Sequence, residues 1–326
     1  MATGATELPP LATTVAGRQP LTEVYEQVAV VESLGYAGVW LPEIAGRDAL
    51  VTCALLAART TTIELATGVV PLGVRGAALT AMGAATVAEA APGRFRLGVG
   101  IGHVETIGPW FDAGSPLRAG EMAAALRRLR GLLHGERAGD DGGRLRGVHH
   151  PAPPPVVLAA LSEGLVRVAA READGVLFNW ITAARASELT AGLRAEAERV
   201  GRDPERLQVA CYVPVCVTDD VAAAAGQLAR QVAAYGRLAS YRRSLERCGL
   251  GEAAAILSGL GPADHARVPD ELIGALGALG PLETVLDRLR EFTAAGVTQV
   301  VLAPVALPGE RAWSSLVETW TALAST

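Results

Sequence analysis

Three side chains in this sequence are suited by type and setting to move protons. His103 and Glu105 stand just past the glycine run Gly98-Val99-Gly100-Ile101-Gly102, and Glu43 follows the apolar run Val39-Trp40-Leu41-Pro42. An imidazole exchanges a proton near neutral pH, so His103 is the first candidate to donate one to a substrate atom. Glu43 and Glu105 could anchor a substrate or share in the transfer. Plainer roles are also open to them, His103 as a polar residue closing a strand end and Glu43 as a carboxylate facing the next loop. His149-His150 sits in a polar stretch with no carboxylate at ligand spacing, so no metal site is expected.

Composition removes several other chemistries. All 29 basic residues are arginine, which excludes a Schiff-base lysine, a Walker lysine and a Ser-Lys dyad. Cys53, Cys211, Cys216 and Cys248 form no C-x-x-C pair, and they read as small buried hydrophobes in a reducing compartment. A net charge of -5 supplies no basic stripe for nucleic acid or an anionic membrane, which leaves a small-molecule substrate. The first residues lack the pattern of a secretory leader, and no run approaches a membrane span, so a soluble cytoplasmic protein is expected.

The elements that must carry these residues alternate along the chain. Apolar runs at 38–42, 63–72, 95–101, 156–161, 175–181, 208–217 and 297–305 read as strands covered on both faces, the habit of parallel sheets. Helical patterns lie between them, such as the one opened by Pro20 and stopped by Gly35, and the one opened by Pro281 and stopped by Gly296. With one more strand near 7–15, weakened by Pro9 and Pro10, the count reaches the eight of a single-domain (β/α)8 TIM barrel. Residues 135–155 read as a loop insertion and 219–280 as a mostly helical cap bearing Tyr235 and Tyr241. In such a barrel the chemistry gathers at the C-terminal strand tips. There stand Ala160, Leu161, Ser162, Glu163 and Gly164 after one strand and Asn179 with Trp180 at the end of the next.

The glycine run is not a dinucleotide fingerprint. That motif needs G-x-G-x-x-G opening straight into a helix, whereas here the spacing is G-x-G-x-G and a helix is expected only from about Pro116. Glycines at alternate positions share one strand face, and the expectation is that they leave room for a flat ring against the backbone. Taken in order, VESLGYAGVWLPE, IELATGVVPLG, GRFRLGVGIGH and VVLAALSEGLVRVAAREADGVLFNW resemble the luciferase-like flavin and deazaflavin superfamily. The segment ADGVLFNW is most similar to the branch that uses coenzyme F420.

The resemblance implies a set of roles. An F420-dependent oxidoreductase would exchange a hydride with a small organic substrate, with an FMN-dependent monooxygenase or a non-catalytic flavin-binding paralogue as alternatives. Thr67-Gly68-Val69 would carry a bulge with a non-proline cis peptide under the ring, beside Gly98, Gly100 and Gly102. The turn Ala160–Gly164 would hold the coenzyme phosphate on free backbone N–H groups, and Asn179 and Trp180 would flank the ring, with Trp40 as another wall. Glu163 departs from the family's usual glycine-proline, and a carboxylate beside a phosphate is unfavourable. Relatives of this kind are often homodimers.

Overall fold

In the computed structural model, which describes residues 8–15, 19–112, 116–137, 142–149, 152–309 and 311–325, ten strands join one sheet. They are β1 (Ala12–Thr14), β2 (Gly38–Leu41), β3 (Glu64–Thr67), β4 (Val70–Pro71), β5 (Phe95–Gly100), β6 (Val156–Ala159), β7 (Gly175–Phe178), β8 (Gln208–Val217), β9 (Ala278–Gly280) and β10 (Gln299–Pro304). Every pairing among them is parallel. Because β10 bonds to both β1 and β8, eight of the strands close on themselves: β1, β2, β3, β5, β6, β7, β8 and β10. The fold is a (β/α)8 barrel. β4 adds to the wall beside β5, and β9 pairs with the far end of β8.

Alternation along each strand sorts side chains between two cores. Val39, Leu65, Leu97, Leu158, Val176, Val209 and Val300 pack outward among the helices. Trp40, Ala66, Val157, Leu177, Ala210, Tyr212 and Val301 share the inner cluster. Alanines on three strands, Ala12, Ala66 and Ala210, give up the volume that two large rings take. Trp40 and Tyr212 meet there edge to face, with centroids 6.2 Å apart.

Helix ends follow the sequence signals. Leu21–Ser33 starts after Pro20, buries Val24, Val28 and Val31, and gives way to Gly35 at φ +80°. Leu282–Ala294 starts after Pro281, buries Val285, Leu286 and Leu289, and ends before Gly296 at φ +86°. The first strand begins only at Ala12, past the two prolines, because neither can donate to the ladder; Glu7 lies outside the described residues. Between β8 and β9 the chain forms the helices Val221–Gly236, Ala239–Arg247, Gly251–Ile256 and Asp270–Leu276, the last two joined through two 3-10 segments. Tyr241, Leu245, Leu257 and Leu272 of this segment bury themselves together with Trp180 from the β7 tip. Parts of 135–155 lie outside the described residues, and 142–149 holds neither helix nor strand. No helix among the described residues is long and apolar enough to cross a membrane.

Three expectations need correction. The apolar run at 63–72 is two strands, β3 and β4, parted at Gly68 and Val69, whose peptide bond is cis, and Leu72 already belongs to the helix Leu72–Arg75. A helix follows His103 at once, Val104–Phe111, well before Pro116. Pro109 inside it hides it from a sequence reading, because its ring crowds the preceding turn and it has no N–H to donate, yet the next turn still closes from the Asp112 amide to the Gly108 carbonyl at 3.1 Å.

The third correction answers the question of the glycine face. A Cβ on Gly98 would lie 1.9 Å from the Thr67 carbonyl oxygen, and one on Gly100 would lie 2.6 Å from Val69 Cγ2. The space beside these glycines is filled by the bulge of the neighbouring strand and offers no room for a ring. Thr67 Oγ1 seals the contact by donating to the Gly98 carbonyl at 2.7 Å and accepting from the Gly98 amide at 2.9 Å. Across the barrel, the Tyr212 hydroxyl donates to the Gly68 carbonyl at 3.1 Å, on the spot where a Gly68 Cβ would lie 1.7 Å away.

Opposite effects are expected from the same substitution at two glycines. Gly98→Ala must push a backbone carbonyl aside and should lower unfolding stability by about 1–3 kcal/mol. Gly192→Ala, in the helix Ala183–Arg199 with open space beside it, should raise it by roughly 0.5–1 kcal/mol. Denaturant unfolding of both variants checks the contrast, and a Gly98→Ala midpoint equal to the parent's would refute the tight contact.

Candidate active site

At the C-terminal end of the barrel, β5 runs into Ile101 and then Gly102, whose φ of +72° turns the chain and sets His103 at the mouth. The imidazole does not face open water. Its Nδ1 lies 3.0 Å from Ser240 Oγ, and its ring leans on the Tyr241 ring, with centroids 5.1 Å apart and planes tilted by 39°. Tyr241 carries the contact onward, since its hydroxyl accepts from Asn179 Nδ2 at 3.1 Å. Tyr235 stands edge-on to Tyr241 at 5.1 Å and against Trp180 at 4.9 Å. The tips of β5 and β7 are thus joined through one aromatic layer contributed by the helices after β8.

Burial sets the electrostatics of this layer. Desolvation lowers the His103 pKa below its ordinary 6.5, against the weaker pull of Glu105, so the ring is neutral at neutral pH. The same cause pushes the Tyr212 and Tyr241 hydroxyls above the ordinary 10 and keeps both as neutral hydrogen-bonding groups. A neutral imidazole is ready to accept a proton and must be protonated before it can give one.

The two carboxylates read as catalytic candidates are engaged elsewhere. Glu105 is exposed and accepts from the Ala239 amide at 3.1 Å, so it caps the start of Ala239–Arg247. Consecutive residues of that helix, Ala239, Ser240 and Tyr241, therefore each meet the β5 tip. Glu43 is buried, accepts from the Ala49 amide at 2.8 Å and pairs with Arg75 at 3.1 Å. Arg75 also bonds Asp48 at 2.9 Å, and Asp48 caps the helix Ala49–Ala57 through the Val51 amide at 3.0 Å. Burial raises the Glu43 pKa, and the Ala49 amide and Arg75 partly offset it. This triad ties the loop after β2 to the helix Leu72–Arg75.

After β6, Ala160 and Leu161 lead to Ser162, whose hydroxyl accepts from the Leu165 amide at 3.5 Å and caps the helix Glu163–Glu172. Glu163 is ion-paired with Arg185, whose other Nη bonds Glu188 at 2.8 Å. That hydrogen bond holds the Glu163 carboxyl below its ordinary range, and Arg247 adds to the pull. The negative charge at this turn is therefore matched by two guanidinium groups. Gly164 lies beside Ala119, so the helices Glu163–Glu172 and Ala119–Leu133 begin side by side.

The structure thus gathers Thr67, Gly68, Val69, Gly98, Gly100, Gly102, His103, Asn179 and Trp180 at one end of the barrel, with 160–164 on the same rim. It adds Tyr212, Ser240, Arg75 and Arg185, none of which the motifs mark. For Tyr212 a signal was present, because alternation along β8 aims it inward with Ala210. The other three act through side chains far away in sequence. Trp40 belongs to the floor of this end, and its buried Nε1 has no partner among the described residues. His149 donates its backbone amide to Glu89 at 3.2 Å, and His150 lies outside the described residues.

A 5,10-methylenetetrahydromethanopterin reductase of Methanolobus tindarius is 30% identical over 300 residues, covering 86% of this chain and 90% of its own. The coenzyme F420-dependent tetrahydromethanopterin reductase of Methanopyrus kandleri superposes with a TM-score of 0.79 at 21% identity over 98% of both chains. An F420-dependent secondary alcohol dehydrogenase superposes with a TM-score of 0.81 at 16% identity over 97% of this chain and 99% of its own. Residues 5–299 match the family described as luciferase-like monooxygenase, and the chain belongs to that family.

Proposed function

We propose that this chain is an oxidoreductase that takes coenzyme F420 as hydride carrier and a small organic molecule as substrate. The observation that supports it most is a half-buried, neutral His103 at a barrel mouth that also carries the Gly68–Val69 bulge and is lined by flat rings, in a chain similar to proteins named for F420. The residues present fit the coenzyme. The first-turn N–H groups at 162–164 would take its phosphate, displacing the Glu163 carboxylate from its own amide and leaving it to Arg185 and Arg247. The bulge, Asn179 and Trp180 would border the ring, and the orphaned Trp40 Nε1 offers a donor beneath them. When bound, F420 supplies a carbon centre that gives or accepts a hydride.

The protein's own part is acid-base work. Neutral His103 would accept the proton of a substrate hydroxyl or amine as the hydride leaves, and would return it in the reverse direction. Ser240, at Nδ1, fixes which ring nitrogen faces the substrate. Tyr212 and Tyr241 stay protonated throughout and exclude water from the mouth.

A homodimer belongs to the same proposal. The helix Ala49–Ala57 has no charged residue, and its packing partner Ala77–Ala90 has only Glu89. They lie close, for a Cβ on Gly83 would come within 2.9 Å of Leu50 Cδ1. Their outer faces leave Val51, Leu55, Leu79 and Met82 exposed. Helices apolar on every side are normally covered on every side, and a second copy presenting the same pair would cover these.

Titration should show F420 binding more tightly than FMN or FAD, and FMN binding as tightly would replace the coenzyme assignment with the monooxygenase one. His103→Ala should cut turnover by about 100-fold or more with coenzyme affinity nearly unchanged. In the parent, the rate of substrate oxidation should be full at neutral pH and fall as acid protonates His103, at a pH below the free imidazole value of about 6.5. A rate that holds steady well into acid would assign the proton to another group. Leu79→Glu together with Met82→Glu should turn a dimer into a monomer in sedimentation, and a parent that sediments as a monomer would refute the shared face.

A further inference from the structure

From the rim of the barrel a groove of about 270 Å³ runs down the outside between the helices Ala119–Leu133 and Glu163–Glu172. It starts at the turn proposed for the coenzyme phosphate, where Gly164 faces Ala119. Small residues keep it open on one side, because Ala119, Ala123 and then Arg127 follow one another at four-residue spacing. On the other side Gly164 is followed by Arg167 and Arg171, also four residues apart, which places their stems about 6 Å apart along the groove.

Three guanidinium groups thus line the channel against one carboxylate, Glu172, which pairs with Arg127 at 2.6 Å. Arg171 bonds Glu196, but Glu196 is shared with Arg199 at 2.8 Å, so positive charge stays in excess. Both helices also point their N-terminal ends at the mouth of the groove. A single phosphate would be met by guanidinium groups converging on one point. Here Arg167 and Arg171 are staggered by one helical turn and Arg127 stands across the groove beside Glu172, a spread that matches carboxylates repeated along an extended chain.

We infer that this groove is a subsite for an oligo-γ-glutamate chain attached to the coenzyme phosphate. The inference rests on the F420 assignment and gives it a structural reason, since F420 continues past its phosphate into such a chain and FMN ends there. The groove would then select the deazaflavin by its tail and leave the barrel mouth to the ring.

The test titrates the full-length protein with F420 carrying no glutamate and with F420 carrying several, following coenzyme fluorescence. The long-tailed form should bind about tenfold more tightly at low salt, a gap of roughly 1.4 kcal/mol. The gap should close near 0.5 M salt, where screening falls to a few ångströms, and in the double variant Arg167→Ala with Arg171→Ala, while the short form binds as before. Equal affinities in the parent, or a gap that survives both salt and the double variant, would overturn the subsite. If no form of F420 binds, the coenzyme assignment fails by itself and γ-linked tetraglutamate judges the groove. Chemical-shift changes at Gly120 and Gly164 that vanish in the double variant uphold it, and no change in the parent removes it.

Discussion

The mouth of this barrel depends on how closely the crossing from β3 to β4 lies against β5. Two atoms decide it. Thr67 Oγ1 exchanges hydrogen bonds with both backbone groups of Gly98, and the Tyr212 hydroxyl holds the Gly68 carbonyl from the opposite wall. The two glycines are there for backbone access: a Cβ at Gly68 would meet the Tyr212 hydroxyl, and one at Gly98 the Thr67 carbonyl oxygen. The buried Thr67–Gly98 bonds resist rearrangement, because opening one strands a polar group in apolar surroundings. The positions of Val69, Gly100 and His103 follow from it.

A second constraint comes from outside the strands. The helix Ala239–Arg247 is fastened to the β5 tip through three consecutive residues, by a cap on its first amide, a hydroxyl on the imidazole and a ring on the ring. The same helix reaches the β7 tip through the Asn179 bond to Tyr241. Its presence dries the mouth, and dryness is what lowers the His103 pKa and raises those of the tyrosines. The proton chemistry available to His103 is therefore set as much by the cap as by the strand that carries it.

Most of the barrel was legible in the sequence because parallel strands covered on both faces leave continuous apolar runs, and helices between them leave prolines and glycines at their ends. The β5 helix at Val104 was not, since Pro109 is the loudest local signal there and the tertiary packing of the tip overrides it. The location of the site was legible, as strand tips of a barrel are. The partners of its residues were not. Glu105 and Glu43 look alike to chemistry, and only the folded chain shows that one reaches the Ala239 amide and the other Arg75. The glycine face misled for a similar reason. Alternation shows correctly that Gly98 and Gly100 share a side, but it cannot show that the neighbouring strand has already taken the space.

Glu163 shows how the two layers divide the work. A carboxylate at the first position of a helix is favoured by the helix dipole, yet it competes with any anion that the same N–H groups could hold. Arg185 weakens the competition by pairing with it, and Arg247, from the helix that also supplies Tyr241, adds its field. The anion end of the proposed site is thus balanced by a cap residue, as the proton end is desolvated by one. Under the proposed function, the barrel would hold the coenzyme through the bulge at Gly68–Val69, the strand-tip side chains and the backbone of the turn at 162–164. The cap would decide, through Ser240, Tyr241 and Tyr235, which substrates reach His103. A change of substrate would then need substitutions in 221–276 alone, where helices packed by apolar contacts tolerate exchange far better than the buried hydrogen bonds of the rim.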